Sequence, residues 1–271
     1  MNNQFRTIII SDLHLGAKGS RSKELNNFLK QYKCDHLILN GDIIDRHYFK
    51  KKGLLNKKYI RLYNRLLKLI KDNNTKITIV LGNHDADLQG FSDYQTKNFQ
   101  VVKDLIYQSG NKQYYIIHGD IHDNIEHYFP NLAKIGKVGY RLAVWLCKKF
   151  GSFFPSNHHS LSTMLKLKLQ NAADYTTAYE KQLVKIANLH NCQGVICGHT
   201  HIAAMKETDG LNYFNSGDWI DSLSALVEDN EGEWSLIYYN ETPILQRTTD
   251  MPAEKSNDIV NLKQYNKASY Q

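Results

Sequence analysis

Five short polar clusters, each directly after an apolar run, constrain the fold of this chain more than any other feature of its sequence. The apolar runs have the length and composition of buried β-strands and cover Thr7–Ser11, His36–Asn40, Ile77–Leu81, Tyr114–His118 and Gly194–Cys197. The clusters that follow them are Asp12-Leu13-His14, Gly41-Asp42-Ile43-Ile44-Asp45, Gly82-Asn83-His84-Asp85, His118-Gly119-Asp120 and Gly198-His199-Thr200-His201. Ligands of open α/β sheets bind at the carboxyl ends of the strands, so we expect the clusters to form one site.

The side chains of these clusters are typical of a site for divalent metal ions. Carboxylate and amide oxygens together with imidazole nitrogens suit Mn, Fe, Co or Zn. Asp12 and His14 are two residues apart, as are His199 and His201, and each pair can hold one ion together. A single Asp-x-His pair is more often a cap or a surface feature, but five clusters in this order predict a metal site.

Segments with helical spacing lie between the first strand-like runs. Leu25, Phe28 and Leu29 fit one short helix, and the periodic run over 60–70 fits a longer one. Strand and helix therefore alternate, which predicts an α/β architecture. Short apolar pieces over 202–239 indicate a late set of antiparallel strands.

The alternation stops in the middle of the chain. Three further helical stretches cover Leu132–Phe150, Leu161–Ala173 and Thr177–His190. The first two predict a helical cap inserted at about 123–175, and the third leads back to the core. We expect a single domain over 1–240, followed by a polar, poorly ordered tail over 241–271.

The composition of the chain indicates its cellular compartment and its kind of binding partner. The formal net charge of +7 and the pI of about 9.0 favour an anionic partner, such as a phosphorylated metabolite or phospholipid head groups. Only this net charge favours binding of nucleic acid, so we do not expect a nucleic-acid partner. The four cysteines form no CxxC pair, which is typical of reduced thiols in the cytoplasm. No apolar run is long enough to span a bilayer, so we expect a cytoplasmic protein, free or attached peripherally to the inner membrane.

The motifs together resemble the signature of a known family. The series Asp12-x-His14, Gly41-Asp42-x-x-Asp45, Gly82-Asn83-His84-Asp85, His118 and Gly198-His199-x-His201 is similar to that of the calcineurin-like metallophosphoesterase superfamily. The resemblance implies a two-layered β-sandwich flanked by helices. It also implies two divalent metal ions, with Mn²⁺ expected first and Fe, Co or Zn as alternatives.

The same resemblance implies a set of ligands. One ion is expected on Asp12, His14, Asp42 and His201. The second is expected on Asp42, Asn83, His118 and His199, so that Asp42 bridges the two. Asp45 and Asp85 are expected to orient these ligands.

Two close metal ions suggest a mechanism of hydrolysis. A hydroxide that bridges them can attack phosphorus directly, with no covalent intermediate on the enzyme. His84 is assigned to neither metal, and it can protonate the leaving group or hold the phosphoryl oxygens. We therefore expect Asp42 and His84 to serve catalysis and Asn83 and His84 to contact substrate.

Within the superfamily, the chain resembles the UDP-2,3-diacylglucosamine diphosphatase group of lipid A biosynthesis. Three features carry this resemblance: the helical insertion between His118 and His199, the stretch 160–172, and the run Asn215-Ser216-Gly217-Asp218-Trp219. It implies hydrolysis of UDP-2,3-diacylglucosamine to UMP and 2,3-diacylglucosamine 1-phosphate. Lys166 and Asn171 of the insertion would then contact substrate. The chain departs from that group at His84, where its best-defined members have Arg.

Other interpretations stay open. A phosphodiesterase or phosphatase acting on nucleotides or other small phosphoesters would carry the same motifs. A metal-dependent scaffold for protein recognition is a more distant alternative, since the complete ligand set and His84 favour catalysis. The basic, amphipathic helix over 132–150 can lie on an anionic membrane, admit acyl chains or simply pack on the core. The oligomeric state is not predicted.

Overall fold

The computed structural model describes residues 4–17, 19–45, 57–92, 94–120 and 176–239. The strands are β1 (Gln4–Ile10), β2 (Lys33–Asn40), β3 (Lys76–Val80), β4 (Phe99–Val102), β5 (Asp104–Ser109), β6 (Lys112–Ile117), β7 (Gly194–Cys197), β8 (Ala204–Thr208), β9 (Leu211–Asn215), β10 (Ser224–Glu228) and β11 (Trp234–Tyr238). The helices are α1 (Ser22–Gln31), α2 (Lys57–Asn73) and α3 (176–189), with a 3-10 turn at Ala86–Phe91.

The strands form two sheets. The first has six strands in the order β11-β10-β1-β2-β3-β4, and its β1 to β4 run parallel. The second has five strands in the order β5-β6-β7-β9-β8, and its β6, β7 and β9 run parallel. The remaining neighbours in both sheets are antiparallel. Parallel strands bring their carboxyl ends to the same edge, so each sheet presents several loops at one end.

The alternation of side chains within the strands builds three apolar layers. In β1, Ile8 and Ile10 point to the layer under α1 and α2, whereas Ile9 points between the two sheets. All three are fully buried, so β1 is apolar on both faces. On the far side of the second sheet, α3 places Leu183 and Ala187 on that sheet's outer face. The result is a β-sandwich with helices on both outer faces.

This architecture confirms the predicted fold class. The five strand-like runs before the polar clusters all form strands, and Gly194–Cys197 has the predicted bounds. The short helix around Leu25, the longer one over 60–70 and the helix leading back to the core also form. Within the described residues, no helix combines the length and the apolar character that a transmembrane span requires.

The expected arrangement of the late strands is wrong. The late strands are not one antiparallel set, because β8 and β9 belong to the second sheet while β10 and β11 belong to the first. Moreover, β9 pairs in parallel with β7. The sequence reading also missed β4 and β5. The first is only four residues long, and the second has every other position facing solvent at the edge of its sheet.

The predicted cap at about 123–175 and the tail over 241–271 lie outside the described residues. Lys166 and Asn171, the predicted substrate contacts of the cap, lie there too. The prediction of one domain over 1–240 stays a prediction.

Candidate metal centre

The loops after β1, β2, β3, β6 and β7 meet at one end of the sandwich. Within the first sheet, the backbone N–H of His14 donates to the carbonyl of Asp42 at 2.9 Å. Within the second, the N–H of Gly198 donates to the carbonyl of His118 at 3.0 Å. The two sheets are joined by the N–H of His199, which donates to Asp12 Oδ2 at 3.0 Å. The polar clusters that are far apart in sequence therefore share one site.

The backbone at this site is strained. Nine non-glycine residues of the described chain have positive φ, and five of them are predicted ligands: Asp12, His14, Asp42, His199 and His201. Left-handed backbone is unfavourable for residues with a Cβ, and such residues concentrate at functional sites. The loops thus hold these side chains in orientations that an extended strand could not provide.

One group of side chains comprises Asp12, His14 and His201, whose candidate ligand atoms all lie within 4.8 Å of one another. Asp12 Oδ1 lies 3.2 Å from His201 Nε2 and 3.8 Å from His14 Nε2. The Asp12 side chain is fully buried, whereas His201 is 30% exposed. This group joins the loops after β1 and β7.

A second group comprises Asp42, His118 and His199, again with candidate ligand atoms within 4.8 Å of one another. His118 Nε2 lies 3.4 Å from Asp42 Oδ1, and its other ring nitrogen lies 2.9 Å from the carbonyl oxygen of Asn40. That carbonyl accepts a hydrogen bond from Nδ1 and leaves Nε2 directed into the site. Asn83, on the loop after β3, is half-buried.

Asp42 lies between the two groups. Its Oδ1 faces His118, while its Oδ2 lies 3.6 Å from His14 Nε2. The N–H of His84 donates to Oδ1 at 2.9 Å and fixes the rotation of the carboxylate. Gly82 permits this close approach, because a Cβ there would lie 2.5 Å from the backbone nitrogen of Asp42. One carboxylate therefore offers an oxygen to each group.

The residues present fit a pair of divalent ions. Buried polar atoms in folded proteins normally have hydrogen-bond partners. Four predicted ligand atoms in the described residues are buried without one: Asp12 Oδ1, His14 Nε2, Asn83 Oδ1 and His118 Nε2. Oxygen and imidazole nitrogen are suitable ligands for borderline-hard divalent ions, and coordination would satisfy all four atoms.

The two carboxylates expected to orient the ligands differ in position. Asp85 accepts backbone N–H groups from Ile43 at 3.0 Å, Ile44 at 3.1 Å and Gly82 at 3.1 Å, and so ties together the loops after β2 and β3. Its burial raises its pKa to about 6. Asp45 instead lies with His14 and His84 in a third group whose candidate ligand atoms are within 4.8 Å of one another.

Burial and charge interactions shift the pKa values of several predicted ligands. Burial opposes protonation of His118 and His201, but the nearby carboxylates raise the pKa of His118 to about 9 and that of His201 to about 10. Burial lowers the pKa of His14. Burial opposes ionisation of Asp42, yet its interactions with His118 hold its pKa below the usual range. Binding of a metal ion by these histidines would therefore compete with protons.

Asp218 is a residue of the site to which the sequence reading gave no role. Its Oδ2 lies 2.8 Å from His201 Nδ1, and the residue is 1% exposed. The run 215–219 carries part of a family resemblance. The contact between Asp218 and His201, however, joins positions seventeen residues apart. No local spacing in the sequence indicates such a pair.

Comparisons with known proteins bear on the family. A family model described as calcineurin-like phosphoesterase matches residues 5–203. A search of curated proteins found no match. Among solved structures, Vacuolar Protein Sorting 29 from Cryptosporidium parvum is 14% identical, covers 89% of this chain and 94% of its own, and has a TM-score of 0.47.

Two other solved structures have the same sequence identity and lower TM-scores. An archaeal phosphodiesterase is 14% identical over 86% of this chain and 98% of its own, with a TM-score of 0.42. A predicted phosphoesterase from Streptococcus pneumoniae is 14% identical over 89% of this chain and 95% of its own, with a TM-score of 0.37. At this identity, none of these similarities assigns an activity to the chain.

Proposed function

This chain belongs to the calcineurin-like phosphoesterase family, and on that premise we propose that it hydrolyses phosphate esters or anhydrides with two divalent metal ions. The single observation that carries the proposal is a set of four buried candidate ligand atoms where the two sheets meet, none of which has a hydrogen-bond partner among the described residues. Leaving such atoms unpaired costs about 1–3 kcal/mol each, and metal coordination removes that cost.

We assign the ligands as the sequence predicts. Asp12, His14 and His201 hold one ion, while Asn83, His118 and His199 hold the other. Asp42 belongs to both, since its two oxygens face different histidines. When bound, the ions neutralise charge on the phosphoryl group and lower the pKa of a coordinated water. Mn²⁺ is the first ion to test, with Fe, Co and Zn after it.

His84 is the proton donor of the proposed reaction. Its Nε2 lies 4.0 Å from Asp42 Oδ2, and its side chain is 27% exposed, so it borders both the metal site and the solvent. Its ring lies edge-on to that of His14, with centroids 4.9 Å apart. From this position His84 can hold a proton close to the oxygen of a departing group.

For the substrate, we propose the pyrophosphate of UDP-2,3-diacylglucosamine. Support comes from the sequence: the insertion between His118 and His199, the stretch 160–172 and the run 215–219. A peripheral attachment to an anionic membrane would suit such a lipid substrate, and the net charge of +7 favours it.

A second candidate is the hydrolysis of small phosphodiesters. The observation that favours it is His84, which stands where the best-defined enzymes for the lipid substrate have Arg. An imidazole can donate a proton to a leaving alkoxide, which a guanidinium cannot do. Poor leaving groups of simple diesters would benefit from that donor.

The test compares three substrates with one enzyme. The full chain is stripped with EDTA, reloaded with Mn²⁺, and given UDP-2,3-diacylglucosamine, the alkyl diester 2′,3′-cyclic AMP or p-nitrophenyl phosphate. Release of UMP and of AMP is followed by chromatography, and release of p-nitrophenolate by absorbance. Asp42→Asn is the matched control, because it keeps the side-chain size and removes the bridging charge.

We expect metal-dependent hydrolysis that Asp42→Asn abolishes. UMP release from the lipid at a higher kcat/KM than diester cleavage supports the lipid substrate, and the reverse order supports the second candidate. Hydrolysis that survives both EDTA and Asp42→Asn would overturn the two-metal proposal. Absence of hydrolysis of all three substrates with Mn²⁺, Fe²⁺, Co²⁺ and Zn²⁺ would overturn the enzymatic one.

A further inference from the structure

We propose that Asp218 is a positioning residue that strengthens metal binding at the position formed by Asp12, His14 and His201, without affecting the second position. The inference rests on the proposed two-metal function. It adds a separate determinant for one of the two ions, in a loop that contains none of the predicted ligands.

One oxygen of Asp218 is fully occupied by its own turn. Oδ1 accepts backbone N–H groups from Asp221 at 2.9 Å and Ser222 at 2.7 Å, and more weakly from Ile220 at 3.3 Å. The hydroxyl oxygen of Ser222 lies 3.0 Å from the same oxygen. Three backbone donors on one oxygen fix the plane of the carboxylate.

The other oxygen is directed at a predicted ligand. Oδ2 lies 2.8 Å from His201 Nδ1, so the ring donates its Nδ1 proton to Asp218. The opposite nitrogen, Nε2, then faces Asp12 Oδ1 at 3.2 Å. A carboxylate in this position selects the ring tautomer, holds the ring plane and makes Nε2 a stronger electron donor.

The turn that carries Asp218 is attached to the other ligand of the same position. The N–H of Trp219 donates to the carbonyl of Asp12 at 3.2 Å, and the hydroxyl of Ser11 donates to the carbonyl of Gly217 at 2.8 Å. The Trp219 ring is 1% exposed and packs on Phe28, with centroids 5.1 Å apart. The loop that carries Asp218 therefore contacts both Asp12 and His201 and fixes the distance between them.

The second position has a different partner at its buried histidine. His118 Nδ1 lies 2.9 Å from the carbonyl oxygen of Asn40, which is a neutral acceptor at the end of β2. Nothing in that contact depends on the turn after β9. Removal of the Asp218 charge should therefore lower the affinity for the ion at the position of Asp12, His14 and His201. The affinity for the other ion should not change.

The variant to make is Asp218→Asn. An asparagine can keep its oxygen on the turn, but its NH₂ group would then face His201 Nδ1 and compel that nitrogen to accept. The ring proton would move to Nε2, the nitrogen that faces the metal position. Asp221→Asn is the matched control, since Asp221 is exposed and lies in the same turn with the same charge.

The measurement is metal binding to the full chain, independent of catalysis. Mn²⁺ and Co²⁺ are titrated into EDTA-treated protein by calorimetry, and the visible absorption of Co²⁺ reports each position. We expect two ions in wild type and in Asp221→Asn. In Asp218→Asn we expect one affinity to fall roughly 10–100-fold, with the other unchanged. The melting temperature of each metal-free protein establishes that the variants are folded.

A second measurement applies to wild type alone, in case Asp218→Asn does not fold. In the Zn²⁺-loaded protein, long-range ¹H–¹⁵N correlations should show His201 protonated at Nδ1. Protonation at Nε2 would overturn the inference, as would a folded Asp218→Asn that binds both ions as wild type does. An equal loss of affinity for both ions in Asp218→Asn would also overturn the inference. Failure of wild type to bind two ions would instead contradict the proposed function itself.

Discussion

Asp12 and Asp42 each use one carboxylate oxygen to hold a neighbouring loop and direct the other oxygen at histidine. Asp12 Oδ2 accepts the N–H of His199 at 3.0 Å, while its Oδ1 has no hydrogen-bond partner in the part of the chain that the structure describes. Asp42 Oδ1 accepts the N–H of His84 at 2.9 Å, while its Oδ2 faces His14. The protein therefore orders these carboxylates before an ion arrives, so binding loses little side-chain entropy.

His84 is the residue at which binding and catalysis can be separated. We expect His84→Ala to lower kcat about 10²–10⁴-fold, the usual contribution of a general acid, because the leaving group loses its proton donor. The content of bound metal, measured by inductively coupled plasma mass spectrometry, should not change.

A suitable control for His84→Ala is His190→Ala, which removes an exposed histidine that stacks on Tyr115. That variant should keep wild-type kcat. Loss of metal from His84→Ala would assign His84 to a metal position and refute its role as a proton donor.

At the scale of elements, glycine decides how closely the loops approach one another. A Cβ at position 82 would lie 2.6 Å from Asp42 Oδ1 and 2.8 Å from His118 Cδ2. We expect Gly82→Ala to displace both side chains. Because Asp42 belongs to both metal positions, the affinity for both ions should fall, roughly 10–100-fold as for other disturbances next to ligands. Calorimetric titration with Mn²⁺ measures the change.

Gly90 gives a control in the 3-10 turn that follows the same loop. A Cβ at this position would meet no atom of the described residues within 4 Å, so Gly90→Ala should bind metal as wild type does. If Gly82→Ala bound both ions normally, the loops after β2 and β3 would be less constrained than their contacts indicate.

Hydrogen bonds across three neighbouring strands give the fold a dependence on pH. His36 of β2 contacts the Thr78 hydroxyl of β3 at 2.8 Å, and Gln100 of β4 donates to that hydroxyl at 2.9 Å. Burial, and then the charge of Lys76, lower the pKa of His36 from 6.5 to about 4. The unfolded chain thus takes up this proton at a higher pH than the folded protein does.

The stabilising contribution of neutral His36 is complete above its unfolded pKa and is lost as pH falls toward about 4. We expect His36→Gln to be less sensitive to acid than wild type, by on the order of 2 kcal/mol in the change of unfolding free energy between pH 7 and pH 5. Urea denaturation of both metal-free proteins measures the difference. Equal changes in the two proteins would contradict this role of His36.

At the scale of the whole molecule, the site depends on the packing of one sheet against the other. Asp12, Asp42 and Asn83 follow strands of the first sheet, whereas His118, His199 and His201 follow strands of the second. A buried polar network crosses between the sheets. Glu228 of β10 is fully buried and accepts hydrogen bonds from Tyr107 and Ser109 of β5.

Removal of one hydroxyl from this network tests its contribution to stability. We expect Tyr107→Phe to lower the free energy of unfolding by about 1–3 kcal/mol, because a buried carboxylate and Thr7 both lose a partner. Urea denaturation at neutral pH measures the loss. Tyr238→Phe is the comparison, since Tyr238 is 40% exposed, and it should be close to neutral. A Tyr107→Phe protein as stable as wild type would show that the network contributes little.

The local sequence pattern is sufficient to predict many of the strands and the location of the site. Apolar runs such as those containing Ile8 and Ile38 predicted buried strands, because a strand covered on both faces carries little polar surface. The polar residues after those runs predicted a common site, because parallel strands end at one edge. Both inferences depend on periodicity and order along the chain, and both are visible without coordinates.

Contacts between residues far apart in sequence determine the sheet to which each late strand belongs and the role of Asp218. The assignment of β9 to the second sheet and β10 to the first depends on which neighbours complete each sheet's hydrogen bonds, and no local pattern carries that information. The same holds for Asp218, whose function depends on a contact with His201 across two strands and a turn. Spacing identifies residues able to bind a metal, whereas the tertiary structure alone determines which atoms are already hydrogen-bonded and which remain available to an ion.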